Sequence, residues 1–191
     1  MTRTMVTERD YRRYSHGAIA FHWTIAAFVI VNLVIGIVHE DLAKPVAGLL
    51  MGWHRALGIL ILALSIGRLA WRLGHRPPPL PPMPGWQVGV AHALHWLFYF
   101  LIIAMPLTGW WMASAGLKRH PIDFFGLFPI PFLPVTQGPG GLGGGAHIFH
   151  VYAGWTMAAL VLLHIAAALR HHYVDKNTVL ARMMPGLAPR G

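Results

Sequence analysis

The chain has no cysteine among its 191 residues. That removes disulfides, thiolate metal sites, iron–sulfur clusters and thiol catalysis together. Charge is scarce as well. Only 11% of residues are Asp, Glu, Lys or Arg, and just six are acidic, against 55% hydrophobic. A soluble domain carries about 25% charged residues, so the composition excludes an ordinary water-soluble core and points to an integral membrane protein. No internal repeat, phosphate-binding glycine motif or nucleophile triad is present, and "GPGGLGGG" (138–145) lacks the Lys-Ser/Thr ending of a phosphate loop. The net charge of +9 does not point to nucleic acid, because no soluble segment is long enough to bind it. In a membrane protein such a balance marks cytoplasmic loops.

What the chain has in excess is histidine, with thirteen. Four apolar stretches, about 17–38, 50–73, 88–113 and 147–172, reach the ~20 residues a spanning helix needs. The expected fold is all-α, a membrane four-helix bundle forming one domain over 1–191, with Pro106 kinking the third helix. The first stretch is too long for a cleavable signal, and no small-residue cleavage site follows it. Lys and Arg crowd the N-terminal tail (Arg3, Arg9, Arg12, Arg13), the second connection (Arg68, Arg72, Arg76) and the C-terminal tail (Arg170, Lys176, Arg182, Arg190). The other side has only Lys44, Arg55, Lys118 and Arg119. The positive-inside rule then puts both termini in the cytoplasm. "HRPPPLPPMPGW" reads as a stiff inner crossing. The aromatic, Pro- and Gly-rich stretch from Lys118 to Gly145 reads as an outer loop folded back over the bundle, with "GPGGLGGG" as a flexible spacer.

"HVYAGWTMAALVLLH" carries His150 and His164 fourteen residues apart. At ~1.5 Å and ~100° per residue the two rings lie ~21 Å apart on nearly the same helix face. One metal ion cannot use both, but two haems stacked along the helix can each take one axial imidazole. Each haem then needs a second histidine at matching depth. His22 lies in the inner half of helix 1, level with His164. His54 lies near the outer end of helix 2, level with His150. Two bis-histidine sites follow, an inner one (His22, His164) and an outer one (His54, His150). Arg68, fourteen after His54, reaches the depth of the inner haem and suits a propionate. Gly36 falls fourteen after His22, while Gly58 and Gly154 lie one turn beyond a proposed ligand. All three give room either to a macrocycle or to helix packing. His92 and His95 open helix 3 and are candidates for propionate or quinone contacts. Gly109, fourteen after His95, shows that helix 3 lacks the two-ligand pattern. His147 is off the ligand face. His16, His39, His75, His120, His171 and His172 lie at membrane boundaries and read as solvated. Trp23, Trp53, Trp71 and Trp86 read as an interfacial belt.

These residues resemble the bacterial cytochrome b-561 family of four-helix di-haem cytochromes. The matching pieces are His22–Trp23, His54 with Gly58, "AHALH" (91–95), the two histidines of helix 4, and "HHYVDKNTVLARMMPG" (171–186). The resemblance implies two b-type haems on His22, His54, His150 and His164, residence in the bacterial inner membrane, and exchange of electrons with the quinone pool. It further implies superoxide as an outer one-electron donor and ubiquinone as acceptor. Arg55, Lys118 and Arg119 would steer a small anion or hold propionates. Phe124, Phe125 and Phe128 would shelter a quinone ring. Two other functions fit less of the chain: a cytochrome subunit docked to a dehydrogenase or hydrogenase, and a non-redox transporter or metal permease. The latter calls for broken or repeated helices, and none is visible.

Overall fold

The structure is a computed structural model that describes residues 13–117, 121–138, 143–184 and 186–187. Four long helices carry it: α1 (His16–Val38), α2 (Lys44–Gly74), α3 (Gly85–Ala115) and α4 (Gly143–Tyr173). Each is long and apolar enough to cross a membrane. α1 packs on α2, α2 on α3 and α3 on α4, and a slighter α4–α1 contact closes the ring. Both described ends of the chain lie at one end of this bundle, here called the terminal end.

Large apolar side chains on all four helices, among them Val34, Leu49, Ile66, Phe100 and Leu162, face outward. A soluble monomer rarely exposes apolar patches beyond a few hundred Å², so this girdle belongs against lipid tails. The packed interior is correspondingly thin. Leu101 and Ile102 of α3 meet Ala153 and Met157 of α4, and Ala56, Leu57, Ile61 and Leu62 bury one stripe of α2.

Helix ends follow local chemistry. Ser15 caps α1 by accepting from the Ala18 amide at 3.3 Å. α2 begins at Lys44, six residues before the expected start, with Pro45 in its first turn, where a missing N–H costs nothing. α2, α3 and α4 each have 31 residues, or ~46 Å. They overrun a ~30 Å hydrocarbon core, which is why apolar windows alone shortened them. Gly143, Gly144 and Gly145 are helical rather than spacer. Glycine disfavours a helix by ~1 kcal/mol, which an end turn of a 31-residue helix absorbs. Residues 139–142 of that stretch lie outside the described residues.

The long loop does fold back. Ile122–Phe124 and Phe128–Ile130 form a two-stranded antiparallel hairpin, the only strands among the described residues, with Ile122 opposite Ile130. Phe125 and Gly126 take positive φ of 55° and 77° at its tip. Phe125 is held there by edge contact with Trp53 at 6.0 Å between ring centres. Trp110 Nε1 donates to the Pro131 carbonyl (2.9 Å) and the Leu133 amide donates to Ser114 Oγ (3.0 Å), fastening the loop to α3.

At the terminal end the C-terminal tail is a structural plug rather than a solvated extension. Arg182 is 3% exposed. Its Nη1 donates to the Pro79 carbonyl at 2.7 Å, and its own carbonyl accepts from the Tyr14 amide. Trp23 Nε1 donates to the Met183 carbonyl at 2.7 Å. His172 is buried, and His171 pairs with Asp175 at 3.0 Å and Asn177 at 2.8 Å. The expectation of solvated boundary histidines therefore fails for both, because the tail turns back over them. Losing one buried hydrogen bond from a charged group costs roughly 2 kcal/mol. Arg182→Ala is therefore expected to loosen the tail and raise the rate of tryptic cleavage after Lys176 by about thirtyfold, read by gel densitometry. An unchanged rate would show that Arg182 does not hold the plug.

Candidate functional site

The predicted partners meet in pairs across the bundle. The ring centres of His22 (α1) and His164 (α4) are 6.3 Å apart, with planes inclined at 75°. Those of His54 (α2) and His150 (α4) are 6.0 Å apart, inclined at 73°. One metal bonded to a nitrogen of each ring gives a definite expectation. With bonds of about 2.0 Å, and nitrogens about 1.1 Å from the centre of a five-membered ring of ~1.35 Å bonds, the ring centres stand ~6.2 Å apart. Both pairs are at that spacing. Among the described residues no three His, Asp or Glu converge as a closed metal cage would require.

The second pair is the better organised. His54 Nδ1 lies 3.1 Å from the Asn32 carbonyl. His150 Nδ1 lies 3.1 Å from both the Met105 carbonyl and Thr108 Oγ1. A carbonyl can only accept, so Nδ1 carries the proton in each ring and Nε2 keeps its lone pair. That is the tautomer a metal-binding imidazole needs. Thr108 Oγ1 donates to the Met105 carbonyl at 2.8 Å, which leaves its lone pairs to share the His150 proton.

Glycines make the space for these rings. A Cβ on Gly36 would stand 3.2 Å from His54 Cε1, and one on Gly109 would stand 3.3 Å from His150 Cε1. Gly36 thus seats an imidazole, and Gly109, which looked like a missing ligand, does the same from α3. Gly58 has open space before it, whereas Gly154 meets the Met105 methyl at 3.7 Å. A small, largely apolar cavity adjoins the His54–His150 pair. Val29, Leu33, Gly58 and Met157 are among its walls, with Arg55 of α2 and Ile122 of the hairpin. Arg55 is half-buried and its Nε donates to the Met51 carbonyl at 3.1 Å. Lys118 and Arg119 lie outside the described residues.

The first pair sits among more polar company. Arg68 Nη1 is 3.2 Å from His22 Nδ1. A guanidinium only donates, so His22 Nδ1 accepts and Arg68 stands as an available cation beside the pair. His95 also joins this end, its ring centre 6.3 Å from that of His164 and its Nδ1 2.6 Å from the Ala91 carbonyl. His92 is exposed and makes no hydrogen bond or ring contact among the described residues. His147 is exposed. The four histidines paired from sequence are ones the bundle brings together, and sequence arithmetic reached them. It missed Thr108 and the Asn32 and Met105 carbonyls, whose role depends on how neighbouring helices are rotated.

Residues 13–186 match the family model described as prokaryotic cytochrome b561. The chain belongs to this family. It is therefore a haem-binding, electron-transporting multi-pass membrane cytochrome. It is 31% identical over 180 residues to cytochrome b561 homolog 2 of Escherichia coli (strain K12), covering 90% of this chain and 91% of the relative. It is 31% identical over 176 residues to a protein of Yersinia pestis named probable superoxide oxidase CybB, covering 92% and 97%. Cytochrome b562 of Cereibacter sphaeroides is 28% identical, covering 94% and 98%. Membership of a cytochrome family displaces the permease reading.

The seating of the rings on glycine is open to test. Gly36→Val and Gly109→Val are expected to push His54 and His150 aside and destabilise the folded cytochrome by about 1–3 kcal/mol. Gly48→Val and Gly52→Val, which face open space, are expected to be near neutral by thermal unfolding. Equal effects at all four positions would contradict the packing.

Proposed function

We propose that this chain carries two b-type haems and passes single electrons between an outer donor, superoxide, and ubiquinone. The observation that carries the reading is the pair of imidazole spacings, 6.3 and 6.0 Å, each of which would suit one haem iron between the two rings. His22 and His164 would ligate the inner haem, and His54 and His150 the outer one. Bound haem supplies reversible one-electron storage at its iron, while the protein sets its depth, tautomers and dielectric.

The chain's own groups divide the remaining work. The Asn32 and Met105 carbonyls keep His54 and His150 in the ligating tautomer and strengthen them as donors. Arg68 would pair with an inner-haem carboxylate and so turn from His22 Nδ1. His95, beside His164, would hydrogen-bond the same group or a quinone oxygen, with exposed His92 a weaker candidate. Arg55, with Lys118 and Arg119, would attract a small anion toward the outer cavity. The aromatic hairpin of Phe124, Phe125 and Phe128 would cover the outer haem's edge and offer a quinone ring stacking partners. Superoxide as donor is supported by the likeness to the probable superoxide oxidase of Yersinia pestis. The Lys/Arg asymmetry supports cytoplasmic termini in the bacterial inner membrane, with the His54–His150 pair outward. The whole chain would act as one domain without a further subunit.

Haem per chain decides the ligand assignment. His54→Ala and His150→Ala are each expected to lose one haem of two and keep the other's spectrum. His22→Ala and His164→Ala are expected to lose the complementary one, and His92→Ala to keep both. If His92→Ala loses a haem while His54→Ala does not, the assignment is wrong.

A further inference from the structure

Arg68, Arg72 and Arg76 follow one another at intervals of four along the end of α2 and the segment after it. All three line one cleft at the terminal end, with Tyr14, Ser15 and Trp71. Like charges at this spacing repel. No carboxylate relieves them among the described residues, where Asp175 is taken by Arg170 and His171. Tyr99 of α3 offers partial relief. The Arg68 and Arg72 guanidinium carbons each lie 5.7 Å from its ring centre, and Arg72 Nη1 is 3.5 Å from its hydroxyl. A neutral ring does not balance three charges.

The cleft is built rather than frayed. The Trp71 indole is wedged against Gly17, where a Cβ would come within 2.4 Å of it. It stacks on His75 at 4.0 Å and 3°, and its Nε1 donates to Ser15 Oγ at 3.1 Å. Arg72 lies two residues from the end of α2. In a ~46 Å helix across a ~30 Å hydrocarbon core that is headgroup depth. Leu73, the next residue, is 85% exposed, and Leu69 and Ile66 are exposed further along α2. Arg68 is deeper, beside His22, and is accounted for by the inner haem.

We infer that Arg72 and Arg76, with the Tyr99 hydroxyl, hold the phosphate of an anionic phospholipid whose tails run down the lipid-facing side of α2. Clustered guanidinium groups, headgroup depth and an apolar flank together select a phosphodiester with acyl chains over free phosphate, and basic pockets between spanning helices suit such headgroups. Assigning Arg68 elsewhere rests on the haem reading above; the lipid site does not.

The test uses the holoprotein in neutral detergent beside Arg72→Gln/Arg76→Gln and Arg72→Lys/Arg76→Lys. Each is titrated with phosphatidylglycerol, with phosphatidylcholine and inorganic phosphate as separate arms, and retained lipid is counted by native mass spectrometry. Removing both charges is expected to weaken phosphatidylglycerol retention at least roughly tenfold. The Lys variant is expected to keep most of it, phosphatidylcholine is not retained, and phosphate does not compete. Equal retention by the wild type and the Gln variant overturns the site, and displacement by inorganic phosphate overturns a lipid as its occupant. Loss of haem from the Gln variant would assign these arginines to the cofactor and also overturn it. A wild type with one haem per chain would count against the two-haem reading alone.

Discussion

An imidazole inside a bilayer is costly unless both of its nitrogens are used. The interior of this bundle is organised around placing two pairs of them. In the His54–His150 pair each Nδ1 proton goes to a backbone carbonyl of a neighbouring helix, Asn32 on α1 and Met105 on α3. Each Nε2 is thereby left for a metal. The same contacts fix the rotation of α1 against α2 and of α3 against α4, so the geometry of the imidazole pair and the helix packing are one arrangement. Gly36 and Gly109 are its steric counterpart. A side chain at either would occupy the volume of a ring.

The two ends of the molecule differ in kind. Around His54 and His150 the walls are mostly apolar, Ile122 of the hairpin is among them, and Arg55 is the cation that lines the cavity. Around His22 and His164 there are Arg68, His95 and a cationic cleft, with His172 of α4 and Arg182 of the tail buried at the same end. This polarity suits a path in which small reactants meet one end and charged or proton-carrying groups serve the other. The depth offset of ~21 Å between His150 and His164 spans most of a ~30 Å hydrocarbon core.

Much of this was legible in the sequence because helical periodicity is rigid. Fourteen residues return a side chain to nearly the same face, so His150 with His164 gave two depths and topology supplied their partners. The span number was equally plain from the apolar runs. What was not legible depends on contacts between elements. The ends of α2 and α3 extend past the apolar windows, since a helix does not stop where hydrocarbon does. The hairpin at Ile122–Ile130 rests on Phe125 in a left-handed backbone conformation held by Trp53, which no local propensity announces. Trp71 read as interfacial belt until its wedge against Gly17 gave it a structural role. His171 and His172 read as solvated because their burial comes from a tail that folds back over them.

The most direct measurement of the central claim is low-temperature electron paramagnetic resonance of the oxidised, detergent-purified cytochrome. Imidazole planes inclined at 75° and 73° would impose a nearly axial field on a ferric iron held between them, since neither in-plane direction would be favoured. Two low-spin ferric signals, both of the highly anisotropic type that crossed axial imidazoles produce, are expected in equal amount. A single low-spin signal, or a major high-spin signal showing an iron with an open axial position in freshly prepared protein, would contradict two bis-imidazole sites.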